Sequence, residues 1–533
     1  MEVLTVCDDH LEDLSVVNLA TALGRVAKLL RKGTYGGAPR AVRQSIVNSQ
    51  ALKDVVYALA DDAENLDGRS LSSTLWALAI MRVRPLKAVQ QMMEACDKDL
   101  LTSASARDLS SIIWGLGSLY AHPGPQLDDV ASELAARAQA DPHSIAPQAC
   151  SMALWGLGRL EHDPGPALDV LIDHAVEHAA RYKPQALTNI GHCLALLKRP
   201  HAAFFAAAQQ QLVERAPEFA GRDASNLLAS MQRLGLRPDG AAVAAALGVV
   251  GPGMSARDVG VTMQALAEVG ENVHSEDLYP MLQALESCLR PGGAGANVID
   301  LAMVVWSVAV MGLDDAKLLG MCRKLIGRIM RAVERGTEPS EQSLRCLVQA
   351  QTLFRADGRE DLDLPSPLRE QAIGAWMTAL ERDVRPLERQ VADILAEEAL
   401  ACETRASTLD GLLVVDVAIP RDVLGAEEGN VGERGIAIEV VPEAGVDAEG
   451  ALVGSVRAKL RVMEYAGWSP ATLLASDWAA AAGDDAARAQ LLADALAPFG
   501  VEIDVEAFAE GDEDEEDEGE DSESDVDTTD IEV

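Results

Sequence analysis

At 533 residues the chain is long enough for several domains, or for one extended array plus a separate fold. Hydrophobic residues make up 48% and aromatics 4%, with alanine and leucine dominant, which points to helices around a core of small side chains. No apolar run is long and pure enough to cross a bilayer, and the net charge of −39 excludes a uniformly basic nucleic-acid binder.

The charge is unevenly spread. Residues 510–533 carry fifteen acids and no base, residues 401–509 nineteen acids and seven bases, and residues 1–400 fifty acids and 38 bases. The long N-terminal part can therefore support a local basic stripe. Its first turns hold Glu2, Asp8, Asp9, Glu12 and Asp13, unlike an Arg- and Ser-rich, acid-poor transit peptide. The eight cysteines are scattered without a CxxC, which argues against a disulfide framework or a zinc finger and for reduced thiols.

Internal periodicity is the strongest signal in the chain. The segments SLSSTLWALAIMRVRP, DLSSIIWGLGSLYAHP and QACSMALWGLGRLEHDP align Trp76, Trp114 and Trp155, 38 and 41 residues apart. The frame runs back to Thr21 and on through His192, Ala229, Gln264, Trp306 and Val348, in steps of 37, 37, 35, 42 and 42. Apolar residues stand five, two and one before this register position and two and five after it, as in Leu109, Ile112, Ile113, Leu116 and Leu119. That is one face of a helix. Ser70, Asp108, Asp223, Asp258 and Asp300, six before the register, read as N-caps, and Pro85, Pro123, Pro164 and Pro238, nine after it, as stops. A second helix follows each first one, as in QLDDVASELAARAQA. Such pairs cannot bury their faces alone, so residues 10–360 are expected to stack as a right-handed α-solenoid of ~38-residue repeats. The tryptophans share a face with leucines and read as core.

The phrase PQ…S/N…WALA…LG…P resembles the octotricopeptide repeat of algal organellar RNA-binding proteins. Pro147-Gln148 with Trp155-Gly156-Leu157-Gly158, and Pro184-Gln185 with Asn189, stand closest to it. The resemblance implies that first helices line a groove for single-stranded RNA, with a few residues reading each base. On that reading the polar pairs Ser72-Ser73, Ser110-Ser111, Thr188-Asn189 and Ser225-Asn226 are candidate base contacts; otherwise they are a solvated face. Arg82, Arg84, Arg159, Lys198, Arg199, Arg233 and Arg237 recur where the first helix ends. They form a candidate phosphate track, or ordinary cations facing the helix dipole.

After a helical connector (361–408) the period changes to strands, LLVVDVAI at 412–419 and IAIEVV at 436–441, followed by the helix RAKLRVMEYAGW. Asp416, Glu439, Lys459, Gly467-Trp468 and Asp477-Trp478, over residues 409–500, resemble the RAP domain, a small α/β relative of restriction-endonuclease folds. The chain departs from that pattern after Glu439, where Val441-Pro442-Glu443-Ala444-Gly445 stands in place of Gly-Pro-x-His. Val441 also fills the lysine slot of an Asp…Glu-x-Lys nuclease, so the two-carboxylate metal chemistry is incomplete.

His174, Glu177 and His178 spell HxxEH on a second helix, where a solvated face is the expectation rather than zinc chemistry. Gly36-Gly37 and Gly251-Pro252-Gly253 read as loops without a P-loop lysine, and 510–533 reads as an acidic disordered tail. The expected whole is mostly α: a repeat array at 1–360, a connector, a RAP-like domain at 409–509 and the tail. The resemblances imply an organellar factor (mitochondrial matrix or chloroplast stroma) that binds mRNA or rRNA, with RNA-processing proteins as further partners. No enzyme, cofactor, metal, membrane or DNA is expected. A peptide-binding solenoid adaptor is the alternative, and a divergent metal-dependent endonuclease the second.

Overall fold

The computed structural model describes residues 2–31, 40–249, 254–270, 273–290, 292–293, 295–381, 386–409, 411–424 and 431–509. The glycine clusters at 36–37 and 251–253 and the acidic tail lie outside the described residues. The chain forms two compact units, residues 1–350 with 447–454, and residues 351–446 with 455–533. The boundary thus falls before 360, and the expected connector belongs to the second unit.

The first unit contains eight helix pairs among the described residues. Their first helices are α1 (Val16–Arg31), α3 (Gly68–Met81), α5 (Ala106–Leu119), α7 (Pro147–Arg159), α9 (Pro184–Leu196), α11 (Gly221–Arg233), α13 (Ala256–Val269) and α15 (Val298–Met311). The second helices are α2 (Gln50–Asp61), α4 (Leu86–Glu94), α6 (Gln126–Ala140), α8 (Pro166–Glu177), α10 (Ala202–Glu214), α12 (Gly240–Gly248), α14 (Tyr279–Leu289) and α16 (Ala316–Glu334). Each odd-numbered helix packs on the next odd-numbered one in unbroken order, and each packs on its own even-numbered partner in the pairs from α5–α6 onward. Leu109, Ile112, Ile113, Leu116 and Leu119 are all buried, as the periodicity predicts.

Helix starts and stops differ from expectation by half a turn or more. Asp108, Asp223, Asp258 and Asp300 lie at the third helical position, not at the cap. There each carboxylate accepts the backbone N–H of the true cap residue: Ser105 at 3.4 Å, Ala220 at 3.3 Å, Ser255 at 3.0 Å and Asn297 at 3.2 Å. This is the reciprocal half of a capping box. Ser70 likewise donates its N–H to the cap Asp67, at 2.7 Å. The helices stop before the prolines, because the sixth residue after the register is left-handed: Arg82, Tyr120, Glu161, Lys198, Gly235 and Gly312.

Glycines let the odd helices approach closely. A Cβ on Gly117 would lie 2.6 Å from the Gly156 carbonyl oxygen, and one on Gly156 would lie 2.5 Å from that of Ile113.

The second unit contains α17 (Pro386–Glu397), β1 (Glu403–Thr408), β2 (Leu413–Pro420), β3 (Gly435–Val441), α18 (Gly454–Tyr465), β4 (Trp468–Leu474) and α19 (Asp485–Leu496). The sheet order is β1-β2-β3-β4, antiparallel except for the β3–β4 pair, which α18 connects as a parallel crossover. β3 is buried along its whole length, as a central strand covered on both faces should be. Val391 and Leu395 of α17, Ile436 and Ile438 of β3, and Leu492 and Leu496 of α19 share one core. β1 and β4 were not legible as strands. β1 is a polar edge strand, and β4 contains Pro470.

Candidate nucleic-acid interface

From α5 to α13 each odd-numbered helix is packed on three sides, by its own partner and by the odd helices before and after it, so one narrow stripe faces outward. Read along α5, the outward residues are Arg107, Ser111, Trp114 and Ser118; along α7 they are Gln148, Met152, Trp155 and Arg159. On α9 they are Gln185, Asn189, His192 and Leu196, and on α11 Arg222, Asn226, Ala229 and Arg233. The register position therefore lies on this stripe. Trp76, Trp114 and Trp155 are half-buried at its edge and not in the core, which corrects the core assignment; Trp306 alone of the register tryptophans is buried.

The stripe carries a continuous stack. The Trp114 and Trp155 rings lie 6.2 Å apart with 28° between their planes. The Arg159 guanidinium sits 5.5 Å from the Trp155 ring centre and 4.4 Å from that of Tyr120, and Arg84 lies 5.4 Å from Tyr120 on its other flank. His192 on the next helix is held below the usual imidazole range by burial first, then by the Arg233 and Arg159 charges. Tyr120 escaped the sequence reading; its one local signal was an aromatic at the helix-ending position, since Arg159 reaches it from the next repeat.

The polar pairs divide. Ser73, Ser111 and Asn189 are half-buried and Asn226 is exposed, all on the outward stripe. Ser72, Ser110, Thr188 and Ser225 are buried between odd helices instead, which corrects their placement on an open face. Ser72 donates to Asp108 Oδ1 at 2.9 Å, Thr188 donates to the Asp223 carbonyl at 3.1 Å, and Ser225 accepts from Thr262 at 2.6 Å. Ser110 donates to the carbonyl of Ala106, one turn back in its own helix.

The cations at the helix ends divide too. Arg84 donates to the Leu119 carbonyl at 2.7 Å, capping the neighbouring helix. Arg199 pairs with Asp163 at 2.5 Å and Asp169 at 2.6 Å. Arg237 pairs with Asp447 and lies 3.9 Å from Glu449. Arg82, Lys198 and Arg233 are exposed or nearly so and remain available to a ligand.

In the second unit Asp416 on β2, Glu439 on β3 and Lys459 on α18 converge. The Lys459 ammonium contacts Glu439 and lies 3.9 Å from Asp416, whose other oxygen accepts the Val440 N–H at 2.9 Å. Val441 is buried and paired with Leu474, so the lysine reaches the carboxylates from the following helix and not from the slot beside Glu439. Trp468 and Trp478 are buried, and the Trp478 indole N–H donates to Gln390 at 2.9 Å.

The HxxEH residues do not converge on a metal geometry. His174 is buried, with its ring nitrogens on Tyr182 Oη and the Pro142 carbonyl, both at 2.8 Å, while Glu177 is exposed. No cluster of three or more metal-ligating side chains occurs among the described residues. The thiols of Cys150, Cys193 and Cys322 are fully enclosed, and burial pushes each up to about 12. No helix of the described residues is long and apolar enough to cross a membrane.

Fold and site together define a mostly helical protein that presents an aromatic and cationic stripe on one helical layer and carries a small four-stranded mixed sheet. No family model matches the chain, and no curated protein matches it in sequence.

Proposed function

We propose that this chain is an RNA-binding α-solenoid of octotricopeptide type with a RAP-like C-terminal domain, and that it holds single-stranded RNA along the outward stripe of its odd-numbered helices. The observation that carries this reading is the Trp114–Trp155 stack flanked by Arg159 and Tyr120. Half-exposed rings offer π-faces to unstacked bases, and the Arg159 guanidinium packed on them adds a planar cationic surface for further stacking. Ser73, Ser111, Asn189 and Asn226 add hydrogen-bonding groups at one matching position per helix, a base-reading arrangement. Its setting would be an organelle, in the processing, stability or translation of mRNA or rRNA.

The chain itself is not proposed to cleave RNA: Lys459 is held between Asp416 and Glu439 as a structural contact of the second unit, and Val441 fills the lysine slot beside Glu439. The protein-adaptor reading draws on the overall acidity. A randomised single-stranded RNA pool selected on the full chain, followed by fluorescence titration of the enriched sequences, tests the proposal. Enrichment with sequence preference supports it. Recovery of no sequence above background overturns it and leaves the adaptor.

A further inference from the structure

We propose that the phosphodiester backbone of the bound strand runs along the N-terminal ends of the odd-numbered helices, gripped by Arg69, Arg107, Arg222 and Arg257. This inference rests on the RNA reading above. The four arginines occupy one equivalent place, seven residues before the register, on α3, α5, α11 and α13. Each is exposed, and none makes an ion pair among the described residues. The carboxylates beside them take part in helix capping, and Asp67 also feels the Arg69 charge. Asp67 caps α3 through Ser70. Asp108 is held by Ser105 on one oxygen and by Ser72 on the other, and Asp258 accepts both the N–H and the hydroxyl of Ser255, at 3.0 and 2.8 Å.

At the opposite ends of the same helices three of the seven recurrent cations are already committed to Leu119, Asp163, Asp169 and Asp447. Arg82, Lys198 and Arg233 stay open at those ends, whereas the starting arginines recur at one position of the outward stripe itself, on four of the six odd-numbered helices from α3 to α13. Between the arginine pairs, Gln148 and Gln185 fill the same position on α7 and α9. Their amides can hydrogen-bond a phosphate without adding charge. A strand placed on this edge has its bases lying over Ser73, Ser111, Trp114 and Trp155, one to two turns further along the same stripe. A guanidinium fork suits a phosphate in this role because it donates two parallel hydrogen bonds.

The test uses the full chain and the tightest sequence enriched from the randomised RNA pool. Arg69→Gln, Arg107→Gln, Arg222→Gln and Arg257→Gln are combined in one variant. A charge-matched control carries Lys53→Gln, Lys87→Gln, Lys98→Gln and Arg331→Gln, exposed cations outside these helices. Each phosphate contact contributes about 0.7 to the logarithmic salt slope of a single strand. Between about 50 and 200 mM salt the wild type should then lose on the order of fifty-fold more affinity than the four-arginine variant. The control should keep the wild-type slope, and replacing the same four arginines by lysine should restore most of it. Far-ultraviolet melting confirms that every variant is folded. If the four-arginine variant keeps the wild-type slope while the chain binds RNA, the track is elsewhere and the RNA reading stands. If the wild-type chain enriches no RNA, both fall.

Discussion

The indole rings of Trp114 and Trp155, 41 residues apart in the chain, stack at 6.2 Å because Gly156 and Gly117 bring α5 and α7 together beneath them. Neither ring is buried, so on the RNA-binding reading proposed above their loss falls on RNA affinity more than on the fold. Trp155→Ala should lower RNA affinity by about 5- to 100-fold, the worth of one base–aromatic stack, with a small change in melting temperature. Ile113→Ala, at a buried position, should do the reverse and cost about 2–5 kcal/mol of stability. Titration and urea melts of both variants decide it: a Trp155 variant that unfolds as readily as the Ile113 variant would return the tryptophan to the core.

The close approach of α5 and α7 is itself testable. Gly156→Ala places a methyl 2.5 Å from the Ile113 carbonyl oxygen, so the helices must separate. An overpacking cost of about 1–3 kcal/mol is expected, read as a lower urea midpoint. Gly240→Ala, where a methyl meets nothing within 4 Å, serves as the neutral comparison.

Much of this architecture was legible. The apolar stripe of each first helix was readable because its period is local and repeated eight times. The outward position of the tryptophans was not, because a helix packed on three sides leaves its register residue at the edge of the leucine face, and periodicity cannot tell edge from centre. The buried half of each polar pair was hidden for another reason. A hydroxyl satisfied by a carbonyl one turn back, as in Ser110, can enter a helix seam at little cost. The carboxylates that hold Arg199 lie 36 and 30 residues away, beyond any local pattern.

The left-handed helix ends give a gain-of-stability test. Arg82 and Lys198 hold φ of 59° and 53°, where a side chain clashes and glycine does not. Arg82→Gly and Lys198→Gly should each stabilise the fold by about 1 kcal/mol, because Gly235 and Gly312 already fill the equivalent position. A lower urea midpoint in both variants would contradict this.

Acid should weaken the first unit. Burial holds His174 below its ordinary range, and His192 shifts the same way, so the folded chain resists protonating them. The unfolded chain takes up protons first as pH drops below about 6.5. Their stabilisation is complete above that value and is lost as pH falls through the folded-state values. Urea midpoints measured from neutral to mildly acid pH should decline, and His174→Gln with His192→Gln should flatten the decline. An unchanged slope in the double variant would reject both histidines as the cause.

In the second unit, Lys459→Met removes the cation between Asp416 and Glu439. It should cost about 3 kcal/mol, since a buried charge is left without that partner. Adding Asp416→Asn and Glu439→Gln should recover most of the loss and leave RNA cleavage unchanged. Loss of an RNA-cleaving activity in the Asn/Gln variant would instead assign the trio to catalysis.

The hydroxyl ties between odd helices carry one more consequence. Ser72 reaches the acid that opens α5, and Thr188 reaches the first turn of α11, so some helices begin against a group supplied by their neighbour. Under mechanical load the array should therefore open from its ends inward, one pair at a time, since an interior pair is braced on two sides and a terminal pair on one.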